Sequence, residues 1–214
     1  SLNKYPRNLL LNQYLVDLEN SNNSFNFSCE NENDVVAELM YIAANALSSQ
    51  SIYPLSNFYL NLAKYLNAEF ISYETLLAEN FYKVKNFKKA KKIYTKLINY
   101  GEAFHWYSSK QLARILIDQQ NKDAAVELLN KSYNNLKDKE LYETFDYAEF
   151  LKNNEKFQES ISFYTEIIDQ VNVDHPLYTE ATDGRGIAFE RTGEWEKAEN
   201  DFLASLNANP DQAY

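Results

Sequence analysis

A spacing of small and large apolar residues that recurs five times constrains the fold of this chain more than any other feature. In its last and clearest occurrence, Gly186 and Phe189 lie three positions apart, on one face of a first predicted helix. Ala198 and Phe202 lie four positions apart, on one face of a second. Small residues let two helix backbones approach each other, and the aromatic rings fill the space beside them. The pattern predicts a hairpin of two α-helices.

The same positions return along the chain at intervals of about 34, 35, 35 and 38 residues. The small residues are Ala44, Ala78, Ala113, Ala148 and Gly186 in the first helices, and Ser56, Ala90, Ala125, Ser160 and Ala198 in the second. Their large partners are Leu47, Phe81, Leu116, Leu151 and Phe189, and Leu60, Tyr94, Leu129, Tyr164 and Phe202. An ordinary helical bundle has no reason to repeat this pattern at a fixed period. The repetition therefore predicts a stack of helical hairpins with one continuous core.

With these residues the chain resembles the tetratricopeptide repeat (TPR) family. The last unit matches the family signature best, through Gly186, Phe189, Gly193, Ala198, Phe202 and Pro210, with Trp195 where an aromatic residue is usual. In the other units the turn glycine is replaced by Ser51, Lys85, Gln120 and Glu155, and the closing proline by Ala68, Glu102, Lys137 and Asn172. Because of these departures, the sequence does not determine the turn geometry or the pitch of the array. The prediction of helix pairs is unaffected.

The resemblance implies an all-α fold, a right-handed α-α superhelix of about five hairpins within residues 34–214. The expected repeats are 37–70, 71–104, 106–139, 141–174 and 179–212. Residues 1–33 form a separate segment of one helix and a polar loop, which is either a cap on the first repeat or the remnant of a preceding one. The helix has an apolar stripe of Leu10, Leu11, Tyr14, Leu15 and Leu18. The chain stops without the polar capping helix of most arrays, so truncation or an oligomer contact is expected at that end.

Composition excludes several classes of function. A formal net charge of −10 argues against nucleic-acid binding, which needs a basic surface. The sequence contains no run of eighteen apolar residues, so no membrane span is predicted and we expect a soluble protein. The single cysteine, Cys29, rules out an internal disulfide, and two histidines, His105 and His175, fall in different repeats. No catalytic, metal or cofactor motif is present, so we expect neither an enzyme nor a cofactor.

Members of the TPR family bind partners along a concave groove, at fixed positions of the first helices. The resemblance carries this role over to Tyr41, Asn45, Glu79, Tyr82, Tyr107, Lys110, Arg114, Phe145, Glu149, Asp183 and Glu190. Tyrosine and arginine are frequent at the energetic centres of interfaces. Tyr82, Tyr107, Lys110, Arg114 and Phe145 are therefore the expected peptide-contacting patch. The alternative is that these side chains are ordinary solvated groove residues without a ligand.

Three further patterns have simpler interpretations. The family's clamp for a terminal carboxylate is absent, because Tyr41 stands in place of its first lysine. The lysine run of residues 83–96 is expected to be the outer face of a helix. The acidic residues Glu194, Glu196, Glu199 and Asp201 are given the same interpretation.

The sequence thus predicts a non-catalytic scaffold that binds a peptide or a helix of a partner protein in its groove. A structural or self-assembling module, or the recruiting arm of a longer multidomain protein, is the alternative. Two segments, residues 33–47 and 177–214, also look like parts of long alphaproteobacterial repeat proteins whose function is generally unassigned. That likeness implies a bacterial protein of the cytoplasm or periplasm.

Overall fold

The protein is described from a computed structural model, which places residue 5 and residues 7–20 and 31–210. Cys29 and the last four residues lie outside this part of the chain. The model divides into two compact units, Ser1–Asn121 and Lys122–Tyr214, which are called unit 1 and unit 2.

Helices make up most of both units. Unit 1 contains α1 (Leu9–Glu19), α2 (Glu32–Ser49), α3 (Tyr53–Leu66), α4 (Ser72–Lys83), α5 (Phe87–Leu97) and α6 (Glu102–Asp118), with a short 3-10 helix at Ile98–Tyr100. Unit 2 contains α7 (Lys122–Asn134), α8 (Leu141–Asn153), α9 (Phe157–Gln170), α10 (Pro176–Thr192) and α11 (Trp195–Ala208). No strand occurs among the placed residues. The helices pair as hairpins, α2 with α3 and α4 with α5 in unit 1, and α8 with α9 and α10 with α11 in unit 2.

The small residues of the repeated pattern are buried, as predicted. Every alanine and serine of the pattern is buried. At Gly186 an added Cβ would lie 2.7 Å from a ring carbon of Phe202, so no larger residue fits without moving that ring. Tyr94 and Tyr164, at the large position of the second helix, are fully buried. The spacing that predicted the hairpins is therefore the spacing of their contacts.

Five helices, α2, α4, α6, α8 and α10, end in the same backbone geometry. Gly193 has a φ of 83°, and the residues at the corresponding turns have a positive φ between 57° and 64°, namely Ser51, Lys85, Gln120 and Glu155. Two hydrogen bonds close each turn; at Lys85, for example, its N–H donates to the Tyr82 carbonyl and the Asn86 N–H donates to that of Phe81. This is the Schellman arrangement of a helix C-terminus. The turn geometry that the sequence left open is thus preserved without glycine.

A buried amide links three helices of unit 1. Asn80 on α4 is fully buried and donates to Ser56 and Asn57 of α3, at 2.8 Å and 2.9 Å. Its side-chain oxygen accepts a hydrogen bond from Ser48 of α2 at 2.6 Å. All three side-chain contacts of Asn80 have good geometry, which avoids the cost of an unsatisfied buried group. The network fixes the register of α4 on the first hairpin.

A buried ion pair has the same role in unit 2 and corrects one sequence prediction. Asp201 was assigned to a solvated acidic face, but it is 7% exposed and accepts two hydrogen bonds from Arg185, at 2.7 Å and 2.8 Å. Arg185 also donates to Thr165 on α9 at 3.0 Å. The prediction failed because the spacing of charges alone does not show that the partly buried Arg185 faces Asp201 from the neighbouring helix.

The N-terminal helix lies elsewhere than expected. We predicted a cap on the first repeat or the remnant of an earlier one, but α1 packs against α6. Leu9 joins the core formed by α4, α5 and α6, and the Gln13 side chain accepts a hydrogen bond from the Ala103 N–H at 3.0 Å. The first N–H groups of a helix lack partners within the helix, and Gln13 supplies one for α6. Gln13 and Leu9 take part in the contact, whereas four residues of the predicted apolar stripe are exposed, namely Leu10, Tyr14, Leu15 and Leu18.

Candidate functional site

Successive helices of unit 1 bring four predicted groove residues together. The α4–α6 cluster consists of Glu79 and Tyr82 on α4, Tyr94 on α5, and Tyr107 and Arg114 on α6. The guanidinium carbon of Arg114 lies 3.7 Å from the centre of the Tyr82 ring, and one of its nitrogens lies 3.4 Å from a Glu79 oxygen. The Tyr94 hydroxyl donates to the other Glu79 oxygen at 3.2 Å, and its ring centre is 6.1 Å from that of Tyr107.

Burial and nearby charges keep the tyrosine hydroxyl groups of this cluster protonated. Burial, and then the charge of Glu79, raise the pKa of Tyr107 to about 12. Burial also raises the pKa of Tyr82, and the carboxylate of Asp118, which accepts a hydrogen bond from the Tyr82 hydroxyl at 2.5 Å, adds to this effect. Both hydroxyl groups therefore stay neutral donors at physiological pH. The Arg114 side chain remains 39% exposed, so a ligand can reach it from solvent.

The other predicted residues of unit 1 make different contacts. Tyr41 packs edge-on against the Phe70 ring, with ring centres 5.9 Å apart, and Asn45 is exposed. The Lys110 ammonium lies 5.6 Å from the centre of the Trp106 ring. Of the unit 1 positions inferred from the family, Glu79, Tyr82, Tyr107 and Arg114 thus belong to one contact cluster.

In unit 2 the predicted residues divide between core and surface. Phe145 is only 6% exposed and packs against Tyr164, with ring centres 6.1 Å apart, so it belongs to the core and not to a contact surface. Glu149 accepts hydrogen bonds from Tyr164 at 2.5 Å and from Lys152 at 2.6 Å. This repeats the contact of Glu79 with Tyr94 two repeats earlier. Family register placed Phe145 in the groove because it gives a position along the helix but not the burial of that side chain.

Asp183 and Glu190 line a second feature, an apolar groove between α10 and α11 with a volume of about 720 Å³, which we call the C-terminal groove. Burial, above all, raises the pKa of Asp183. Trp195 is 66% exposed in this groove. The remaining lining residues are Ile187, Ala198, Glu199, Phe202, Leu203 and Leu206. Trp195, Leu203 and Leu206 thus bring large apolar side chains into contact with solvent in one groove.

The sequence analysis missed part of each site. Tyr94 was assigned to the core, and its hydroxyl contact with Glu79 was not foreseen. Trp195 was noted as an aromatic residue at a position where the family usually has one, and its exposure to solvent was not foreseen. A signal for the C-terminal groove was present at Leu203, because the four earlier repeats have Asn or Thr at the corresponding position.

Two other kinds of site are absent from the described part of the chain. None of their helices is long and apolar enough to cross a membrane. No group of three or more His, Cys, Asp or Glu side chains among them could hold a metal ion. Of the lysine run, all but Lys91 are exposed, as expected for the outer face of α5 and the turn before it.

No protein-family model and no curated protein matches this sequence. Solved structures of TPR proteins match its fold. YrrB, a TPR protein with an unusual peptide-binding site, is 18% identical, with 86% of this chain and 90% of that chain covered and a TM-score of 0.52. The nearly identical TPR-like repeats described for a kinesin light chain of Podosopora anserina are 13% identical, covering 86% and 100%, with a TM-score of 0.62.

MamA from Desulfovibrio magneticus RS-1 is 10% identical, with 86% of this chain and 99% of that chain covered and a TM-score of 0.56. At such identities the likeness concerns the fold. The chain therefore has the all-α helical repeat fold of TPR proteins, and the predicted fold class is confirmed.

Proposed function

We propose that this TPR-fold chain is a non-catalytic protein-interaction scaffold, which binds a peptide or a helix of a partner at the α4–α6 cluster. The convergence of Tyr82, Glu79 and Arg114 from two successive first helices carries this proposal. An arginine stacked on a tyrosine ring is already held in one orientation, so little conformational entropy is lost when a ligand binds it. That the similar YrrB fold has a peptide-binding site supports the same function.

The chemistry of the cluster indicates the kind of peptide that fits. Arg114 can donate to a carboxylate or a backbone carbonyl of the ligand, and the Tyr82 and Tyr107 rings offer apolar faces beside it. Asp118 lies next to the Tyr82 hydroxyl and can accept hydrogen bonds from backbone N–H groups. A short peptide with one acidic and one large apolar side chain is the ligand best matched to this surface.

Selection from a random peptide display library tests this function. Peptides enriched on the wild-type chain should bind at least tenfold more weakly to Arg114→Ala and to Tyr82→Ala. Lys92→Ala, which removes an exposed cation of α5, serves as the matched control and should leave binding unchanged. If both cluster variants bind the selected peptides as tightly as the wild-type chain, or if no peptide is enriched on the wild-type chain, the proposed binding surface is wrong.

A second function, assembly with other copies of the chain, is favoured by an exposed apolar stripe on α2. Val35, Leu39 and Ile42 are four and three positions apart and therefore share one face, and the last two are 59% and 62% exposed. Sedimentation velocity over a hundredfold range of concentration tests this. Self-association that Leu39→Glu abolishes would support assembly, whereas a monomer at every concentration would contradict it.

A further inference from the structure

The C-terminal groove lies in unit 2, in a place where earlier hairpins of this chain receive a helix. In unit 2, α10 packs into the hairpin of α8 and α9, where Leu177 and Ala181 join the core with Ala148 and Tyr164. In unit 1, Tyr73 and Leu77 of α4 join the core of the α2–α3 hairpin. The C-terminal groove lies on the corresponding side of α10 and α11. Within the described residues, no helix packs against this side.

The dimensions of this groove suit a short helix. Trp195 and Leu206 are eleven positions apart on α11, which corresponds to a length of about 16 Å, or three helical turns. The apolar residues that line the groove include Ile187, Phe202 and Leu203. These side chains are arranged to receive an apolar stripe with helical spacing.

The charges of the groove select the partner. Three of its nine lining residues, Asp183, Glu190 and Glu199, are acidic, and none of the nine is basic. Glu190 and Glu199 are exposed, whereas Asp183 is half-buried. Carboxylates beside an apolar floor attract cations at the edge of the bound segment and repel anions. The occupant therefore carries basic residues on both sides of its apolar stripe.

Two other occupants fit less well. The exposed end of α2 could stack here from a second copy, but its nearest charges include Glu32 and Glu38, which would meet the acidic groove. A further repeat of the same kind fits less well because the earlier hairpins have a polar residue where this one has Leu203. Thr165, for example, accepts a hydrogen bond from Arg185 of the following helix, α10. Leucine at this position provides an apolar surface instead.

We propose that the C-terminal groove binds an amphipathic helix of a partner protein, with an apolar stripe of about three turns flanked by lysine or arginine. This surface is separate from the α4–α6 cluster, and the proposal does not require that the cluster bind a peptide. It identifies a second binding site and the chemical class of its partner.

The probe is a synthetic helix of about 14 residues with leucine at every third or fourth position and lysine on both flanks. A twin peptide carries glutamate in place of each lysine, and a third keeps the lysines but replaces the leucines with serine. Binding is measured by calorimetry and by a blue shift of Trp195 emission, which should be absent in Trp195→Phe. The lysine–leucine peptide should bind at least tenfold more tightly than either of the other two.

Charge reversal in the protein tests the selection directly. Glu190→Lys with Glu199→Lys should reverse the preference, so that the glutamate peptide binds better than the lysine peptide. Glu127→Lys with Glu159→Lys changes the net charge equally at exposed positions of α7 and α9, and should leave the original preference in place. Circular dichroism melting curves establish that each variant is folded. Arg114→Ala should bind the lysine–leucine peptide like wild type, which separates this site from the α4–α6 cluster.

Several results would overturn the proposal. Equal affinity for the lysine and glutamate peptides, or no change on charge reversal of Glu190 and Glu199, would show that the acidic residues do not select the partner. Binding of the serine peptide as tightly as the leucine peptide would exclude an apolar contact. Self-association of the chain that Leu206→Glu abolishes would identify a second copy as the occupant.

Discussion

Four residues with side chains hold the left-handed conformation at the turns of their hairpins: Ser51, Lys85, Gln120 and Glu155. This conformation costs a non-glycine residue roughly 1–2 kcal/mol, because its Cβ approaches the following carbonyl oxygen. The two hydrogen bonds that close each turn and the packing of the paired helices offset this cost. The helix hairpin therefore requires the left-handed conformation at this position, whichever residue type occupies it.

Glycine at these turns should therefore stabilise the fold. Lys85→Gly should raise the free energy of unfolding by a few tenths to about 1 kcal/mol, since relief of the left-handed strain outweighs the greater freedom of glycine in the unfolded chain. Gly193→Ala should lower it by about 1 kcal/mol from backbone strain alone, because an added Cβ there meets nothing within 4 Å. Chemical denaturation measures both changes.

Lys92→Gly is the control for this pair of substitutions. Lys92 is exposed within α5, where glycine should cost about 1 kcal/mol. A loss of stability in Lys85→Gly as large as that in Lys92→Gly would contradict the left-handed geometry of the turn.

The pair of Arg185 and Asp201 predicts a different kind of loss. Arg185→Met leaves the Asp201 carboxylate buried without its partner, which should cost about 3–5 kcal/mol. The double variant Arg185→Met, Asp201→Leu should recover most of this loss, because no buried charge is left unpaired. Denaturation of the two single variants and the double variant yields the coupling energy. Additive losses would show that the two side chains do not interact.

At the scale of helices, the sequence predicted the pairs well and the isolated helix poorly. A hairpin fixes its own contacts, so the spacing of Ala90 and Tyr94 was enough to place α5 against α4. For α1, the most apolar stripe was expected to face the protein, yet Tyr14 and Leu18 are 46% and 54% exposed. The contact is instead made by a glutamine that caps a distant helix, and a single sequence contains no signal for such a pairing.

The attachment of α1 to α6 depends on Gln13 and can be tested through it. Gln13→Ala removes the acceptor of the Ala103 N–H, which should cost about 1–2 kcal/mol locally and raise amide hydrogen exchange in residues 9–19 about tenfold. Gly101→Ala should cost more, because Gly101 has a φ of 142° that alanine rarely adopts and an added Cβ would lie 2.2 Å from the Gln13 side chain. Hydrogen exchange followed by mass spectrometry resolves this segment.

Glu19→Ala, at the exposed end of the same helix, is the control and should leave the exchange rates nearly unchanged. Unchanged protection of residues 9–19 in Gln13→Ala would mean that other contacts hold α1 in place.

For the molecule as a whole, the sequence predicted the fold class but not which groove positions act together. Register along the first helices selected Glu79, Tyr82 and Arg114 correctly as neighbours of one another, because residues at equal positions in adjacent repeats lie side by side. It also selected Phe145, which is buried, because burial depends on the size of the side chains around each position. Periodicity thus determines which residues are neighbours, but not which of them reach solvent.

The acidic balance of the chain makes its stability depend on pH through particular carboxylates. Glu74, on α4, is the clearest, with a nearly buried side chain that forms ion pairs with Lys64 of α3 and, at 2.7 Å, with Lys96 of α5. Burial alone would raise the pKa of Glu74, but hydrogen bonds from the two ammonium groups lower it below its usual value. The unfolded chain therefore binds a proton at Glu74 more readily than the folded chain does.

This order of pKa values determines the direction of the effect. A carboxyl group whose folded pKa is depressed contributes stability at pH values above its unfolded pKa of about 4.5, and that stability is lost as the pH falls through the folded pKa. Glu74→Gln should thus cost about 1–2 kcal/mol at pH 7, a value reduced by the exposure of both lysines, and much less at pH 3. Denaturation midpoints of wild type and variant between pH 7 and pH 3 should converge as the pH falls. The midpoints of Glu127→Gln, at an exposed position of α7, should follow those of wild type across this pH range. A difference between Glu74→Gln and wild type that stays constant with pH would mean that Glu74 stabilises the fold by packing and not by its charge.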